Sequence, residues 1–319
     1  MKDYIVFIHG VNTREVVEEP TYAEDLFEKI SRKLEPSSQK LISIPLYWGN
    51  VNIKAEKDLL STMELSPLWQ KMWFRDFRSK QILQFVGDAA LYISRAVGAQ
   101  VVQQIKEQAL QGLSGYTSED RMHLITHSWG TVILFDILFA SRWDDINAPG
   151  HQDVMQIRNA IFGIEGDVGT AQDGVKLASL HTMGSPIAIF SLTDIAQPDE
   201  DNAVGLRVQS THDITPKLQD LLQALSQARQ GKKLTWRNFI HPGDPVAYPL
   251  KELLMSMVDP QGQSMEFQDI LTHNASLFDF LNEPLSQTAL ALLHGGDAHG
   301  SYWHSDQVAE AIAQAISHG

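Results

Sequence analysis

Short apolar runs, each followed by a longer helical or polar stretch, are what most limits the fold of this chain. Tyr4 to Ile8, Leu41 to Trp48, Met122 to Thr126, Leu177 to Met183, Leu234 to Ile240 and Met265 to Leu271 are strand-sized and rich in β-branched or aromatic residues. Tyr4 to Ile8 is apolar throughout, which suits a central strand covered on both faces. Pro45 puts a bend or a sheet edge in the second run. Between the runs, Pro20 to Leu34, Pro216 to Arg229 and Val308 to Ile316 read as amphipathic helices, with Thr21 as N-cap of the first. Thr131 to Ala140 is apolar nearly all round, as a helix buried beneath a sheet should be. This alternation predicts an α/β fold whose central sheet is mainly parallel and covered by helices on both faces.

Residues 1–319 read as one domain with two additions: a helical insertion at about 55–111 and a polar, Gly-rich loop or cap at about 142–175. The first is dense in aromatic residues, including Trp69, Trp73, Phe77, Phe85 and Tyr92. Helices packed on the sheet explain them better than a lipid-contact surface, and Asp88 and Arg95 argue against a membrane span. No stretch is long and apolar enough to cross a bilayer, and the N-terminal run is too short for a signal h-region.

A formal net charge of −14 disfavours nucleic acid and anionic lipid as partners, because such a surface repels phosphate. The chain has no cysteine, which excludes disulfides, thiolate nucleophiles and cysteine-bound zinc, and fits a cytoplasmic location. His294, His299 and His304 recur at a spacing of five, which places them off any shared helical face, so no metal is expected. Nothing in the motifs calls for a cofactor.

In an open parallel sheet, reactive groups gather beyond the carboxyl ends of the strands. After the first run come His9 and Gly10, and after Met122–Thr126 comes His127-Ser128-Trp129-Gly130. Gly184-Ser185-Pro186 ends the next run, His241-Pro242-Gly243-Asp244-Pro245 ends Leu234–Ile240, and His299 and His304 follow the last. A serine between a strand and a helix has the setting of a nucleophile elbow, and Gly130 supplies the small residue needed two places on. Thr126 stands where such elbows usually hold glycine. Taken alone, Ser128 could equally be a helix cap and Asp244 a turn residue.

Together, Ile8-His9-Gly10, Thr126-His127-Ser128-Trp129-Gly130, Met183-Gly184-Ser185-Pro186, Gly243-Asp244-Pro245-Val246 and His299-Gly300-Ser301-Tyr302-Trp303 resemble the α/β-hydrolase superfamily, above all its lipase-like and esterase-like members. The resemblance follows motif order through nearly the whole chain, which would then start at the strand before the oxyanion loop. It implies Ser128, Asp244 and His299 as a triad, in the order serine, acid, histidine. His304 is the alternative base, and Asp213 and Asp297 are the alternative acids. The oxyanion hole would use the backbone N–H groups of Val11 and Trp129, with His9, Gly10 and Asn12 supporting the loop. His127 and Ser185 read as structural.

The expected activity is hydrolysis of an ester through an acyl-enzyme, on a small or lipid-like acyl substrate. Thioester, amide or peptide cleavage and transacylation would use the same groups. The competing reading is a non-catalytic module of the same fold that binds protein or ligand. Acyl preference and oligomeric state leave no mark on the sequence.

Overall fold

A computed structural model describes residues 1–11, 20–35, 40–51, 53–75, 79, 92–167, 169–190, 213–272 and 298–318. Six strands form one sheet: β1 (Lys2–Ile8), β2 (Lys40–Leu46), β3 (Arg121–His127), β6 (Lys176–Met183), β7 (Leu234–Ile240) and β8 (Met265–Leu271). Their order is β2-β1-β3-β6-β7-β8, and every neighbouring pair is parallel. The short strands β4 (Glu165–Gly166) and β5 (Gly169–Thr170) make a separate antiparallel pair.

Alternating residues of β1 show why both faces need cover. Tyr4, Val6 and Ile8 join one apolar cluster, while Ile5 and Phe7 join another. Under the first lie α3 (Arg95–Gly112), α4 (Trp129–Phe139), α5 (His151–Asn159) and α7 (Thr215–Ala228). The second is closed by α1 (Glu24–Leu34) and α9 (Asp306–His318), which pack on each other through Leu26, Ile30, Ile312 and Ile316. Fully burying a Leu or Ile side chain is worth about 1.5–3 kcal/mol, so these two layers carry much of the stability.

Pro45 lies in β2, the edge strand, as a residue without an N–H donor should. The first helix departs from expectation. It opens at Glu24, its N-cap is Ala23 with no side-chain capping bond, and Thr21 contributes its carbonyl to the Glu24 N–H instead. Glu24 and Asp25 in the first turn favour that start through the helix dipole. Within 142–175 the chain forms α5 and the β4–β5 hairpin. Arg158 of α5 is fully buried, and its guanidinium donates to the Ile137 and Ala140 carbonyls at the C-terminal end of α4 and to Asp144. Those carbonyls have no acceptor role inside the helix, so the cation satisfies them directly.

Between the sheet and α9 runs a buried polar row. His123 Nε2 lies 3.3 Å from Asp3 Oδ1, His123 Nδ1 lies 2.7 Å from Ser179 Oγ, and Ser179 Oγ lies 2.8 Å from His181 Nε2. Burial pushes His123 and His181 below the ordinary histidine range, and burial followed by the neighbouring His299 takes His127 down to about 3. All three stay neutral in the folded protein where the unfolded chain would protonate. Stability is therefore expected to be complete above about pH 6.5 and to fall below it, by up to about 1.4 kcal/mol per pH unit for each such histidine. Urea midpoints at pH 8 and pH 5.5 measure this, and equal midpoints would contradict it.

Candidate active site

β3 ends at His127 and α4 begins at Trp129, so Ser128 alone makes the turn between them. It does so at φ 55° and ψ −133°, a region in which a residue with a side chain is strained by about 1–3 kcal/mol. The strain is held from both sides. The Ser128 N–H donates to the Met183 carbonyl of β6 at 2.9 Å, and the Thr131 N–H donates to the Ser128 carbonyl at 3.0 Å.

Gly130 lets the helix start directly against the end of β1. A Cβ there would stand 2.2 Å from the His9 carbonyl oxygen, which is backbone and cannot yield cheaply. Gly130→Ala is therefore expected to cost about 2–3 kcal/mol of stability, in line with overpacking against a fixed wall. A thermal midpoint unchanged from the parent protein would contradict this. Thr126, in the place where glycine was anticipated, fits because its hydroxyl is used: it donates to the His181 carbonyl at 3.3 Å and accepts from Thr131 Oγ1 at 2.8 Å.

The loop after β1 meets the same point. A Cβ on Gly10 would lie 2.5 Å from the Ser128 Cβ and 2.8 Å from its hydroxyl oxygen, so this backbone passes against the serine side chain. His9 fixes the loop. Its ring stacks on Trp48, accepts the Trp48 N–H at Nε2 and bonds the Gly10 carbonyl from Nδ1 at 2.6 Å. Those partners require the neutral ring with its proton on Nδ1. Val11 follows, half-buried, while Asn12 lies outside the described residues. Trp129 is the first residue of α4, where amides face out of the helix N-terminus.

Asp244 and His299 come together across 55 residues of chain, with Nδ1 2.9 Å from Oδ2. The same carboxylate oxygen accepts the Tyr302 hydroxyl at 2.8 Å, and Oδ1 accepts the Val246 N–H at 3.0 Å. Burial pushes the Asp244 carboxyl up, but its bonds to His299 and Tyr302 outweigh that and hold it below the ordinary carboxylate range. Tyr302 is in turn anchored by the His241 N–H at 2.8 Å, and burial together with Asp244 raises its phenol. Gly184, at φ 55°, brings the end of β6 against this pair. A Cβ there would meet Asp244 Oδ2 at 2.6 Å and His299 Nδ1 at 3.1 Å.

His127 sits beneath His299. Its Nε2 lies 2.7 Å from the His299 carbonyl oxygen, and the two rings are 4.5 Å apart. The His127 proton must then be on Nε2, since a carbonyl only accepts. Two polar atoms here are buried and have no hydrogen-bond partner among the described residues: Ser128 Oγ and His299 Nε2. Buried polar atoms are rarely left so, and a group to be filled by ligand or by motion is one physical reason.

The other candidates lie elsewhere. His304 is exposed and its Nδ1 meets Asp25 of α1 at 2.8 Å. Asp213 caps α7 by accepting the Thr215 N–H, and Ser185 is buried with its hydroxyl on the Ile187 N–H at the start of the short helix α6 (Ile187–Phe190). His294 and Asp297 lie outside the described residues, as do Phe77, Phe85 and Asp88. Among the described residues no group of three His, Asp or Glu side chains is placed to hold a metal ion, and no helix is long and apolar enough to cross a membrane. Tyr302 and Gly184 are the contributors that sequence reasoning left without a role, while His127 was read as structural. Their only signal was position, each inside a motif at a strand end.

No known protein family and no curated protein matches the chain. Among solved structures it is similar to a Lactobacillus plantarum WCFS1 protein presumed to be a cell surface hydrolase, at 11% identity over 86% of both chains with a TM-score of 0.32. It is similar also to the RedJ thioesterase of Streptomyces coelicolor prodiginine biosynthesis, at 14% identity over 92% of this chain and 89% of that one, TM-score 0.30. An acetyl xylan esterase aligns at 9% identity over 98% of both chains, TM-score 0.28. Alignment at this level fixes neither reaction nor residues, and the strand order and the elbow speak for themselves. Six parallel strands between two helical layers, with a strained serine turning from a central strand into a buried helix, make this an α/β-hydrolase fold.

Proposed function

We propose that the protein is a serine hydrolase that cleaves an ester or related acyl bond through an acyl-enzyme. Ser128 is the nucleophile, His299 the base that takes its proton and returns it to the leaving group, and Asp244 the acid that orients the imidazole. The observation that carries this reading is the Asp244–His299 pair at 2.9 Å, with Gly184 packed against it and the adjoining Met183 carbonyl accepting the Ser128 N–H. The Asp244 bond to Nδ1 sets the tautomer that leaves Nε2 as the proton acceptor. Deacylation follows the same route with water in place of the serine.

The N–H groups of Val11 and Trp129 form the oxyanion hole in this reading. Gly10 supports it by letting the first loop run against Ser128, and each donor would contribute about 2.7–4 kcal/mol to the transition state. No cofactor takes part. The substrate is a small or lipid-like acyl compound, handled in the cytoplasm.

One observation favours a second reading, a binding module without catalysis: Ser128 Oγ and His299 Nε2 do not bond each other. Catalytic hydrogen bonds often tighten only with substrate present, so the distinction is experimental. A fluorophosphonate probe should label folded protein at Ser128 and leave Ser128→Ala unlabelled. Folded protein that stays unlabelled would favour the binding module.

A further inference from the structure

The opposite end of the sheet, at the amino ends of its strands, carries a cleft of about 300 Å³, formed where β3 and β6 begin and α7 ends. That volume is at the lower end of small-molecule sites. Arg121, Lys176, Arg229 and Lys232 all line it, in a chain whose formal charge is −14. Such crowding of cations is costly unless opposite charge offsets it.

Arg121 has that offset, since its guanidinium holds Asp3 through two bonds of 2.7 and 3.1 Å. Arg229 does not. It is half-buried, its hydrogen bond is a long one of 3.4 Å to the Ala178 carbonyl, and among the described residues it makes no ion pair. Burial, and after it the nearby Arg121, push its guanidinium below the ordinary range. Among the described residues Lys176 reaches only the Ser118 carbonyl, at 3.4 Å, and stands over the Phe162 ring. Two carboxylates also line the cleft. Asp120 is committed to the N–H groups of Lys2 and Thr117, and Glu119 is exposed.

We infer that this cleft is a binding site for a small multivalent oxyanion of the phosphate class, received by Arg229 with Lys176 and Lys232 at its rim. A guanidinium presents paired N–H donors that match phosphate oxygens, and the two ammonium groups add charge from the sides. The site lies beyond the amino ends of the strands, so its occupation is independent of the chemistry proposed at Ser128.

The test is thermal unfolding of the full chain with inorganic phosphate and with pyrophosphate, each against sodium chloride at matched ionic strength. The expected result is a saturable rise in midpoint, larger for pyrophosphate and absent with chloride. Arg229→Gln should weaken the half-saturating concentration at least tenfold, and Lys232→Gln by a smaller factor. Arg229→Gln removes a half-buried charge that has no ion pair among the described residues and should fold, which its own unfolding transition checks. Arg229→Lys, keeping charge but not the paired donors, should fall between. Equal rises with chloride, or a pyrophosphate response unchanged in Arg229→Gln, would overturn the inference. Titration calorimetry with pyrophosphate gives a second readout, and the absence of heat at millimolar concentration would also overturn it.

Discussion

Replacing Ser128 with alanine is expected to lower turnover of p-nitrophenyl esters by at least about three powers of ten. That is about 4 kcal/mol of transition-state stabilisation. The size follows from what the hydroxyl alone supplies. The Ser128 hydroxyl is the oxygen that lies against the Gly10 backbone at the end of β3, so its loss would leave only binding and oxyanion donors to accelerate attack by water. Alanine keeps the Cβ, hence the same strained turn, and the bonds to Met183 and from Thr131 use only backbone. Unfolding midpoints should therefore stay close to those of the parent protein, which separates chemistry from folding. Activity retained in a folded Ser128→Ala protein would end the proposal.

His299→Ala should match that loss, again about three powers of ten or more, because it removes the base that takes the serine's proton in the proposed mechanism. His304→Ala is the control. That ring is exposed and engaged with Asp25, so its removal should leave turnover within about twofold, the scale of a surface ion pair's small worth. Reversal of the two results would move the base to His304. His299→Ala also strips one partner from a buried carboxylate. Tyr302 and Val246 continue to donate to Asp244, which limits the structural damage.

The strands were legible because their signal is local: a run such as Leu234 to Ile240 is written in consecutive residues, and the observed β7 has those bounds. The elbow was legible for the same reason. The start of α1 was not, since Thr21 looks like a cap and nothing nearby shows that Ala23 and the acidic first turn take over. Helix α5 is short and mixes His, Gln, Asp and Arg with its buried Val154, Met155 and Ile157, so its apolar face is too brief to stand out. At the candidate site, Asp244 and His299 could be named from motif order, but Tyr302 meets Asp244 across 58 residues and His9 meets Trp48 across 39. His127 likewise bonds the carbonyl of a residue 172 positions away. Bonds of that kind depend on strand register, which no local pattern encodes.

The pairing of α1 with α9 has a consequence for how this protein is made. Ile5 and Phe7 leave the ribosome about 300 residues before part of their cover, from Val308 to Ile316. At about 5–20 residues per second, that oily flank stays partly bare while the intervening chain is made. A growing chain of this design should thus be a client for holding chaperones, released only when α9 closes over β1.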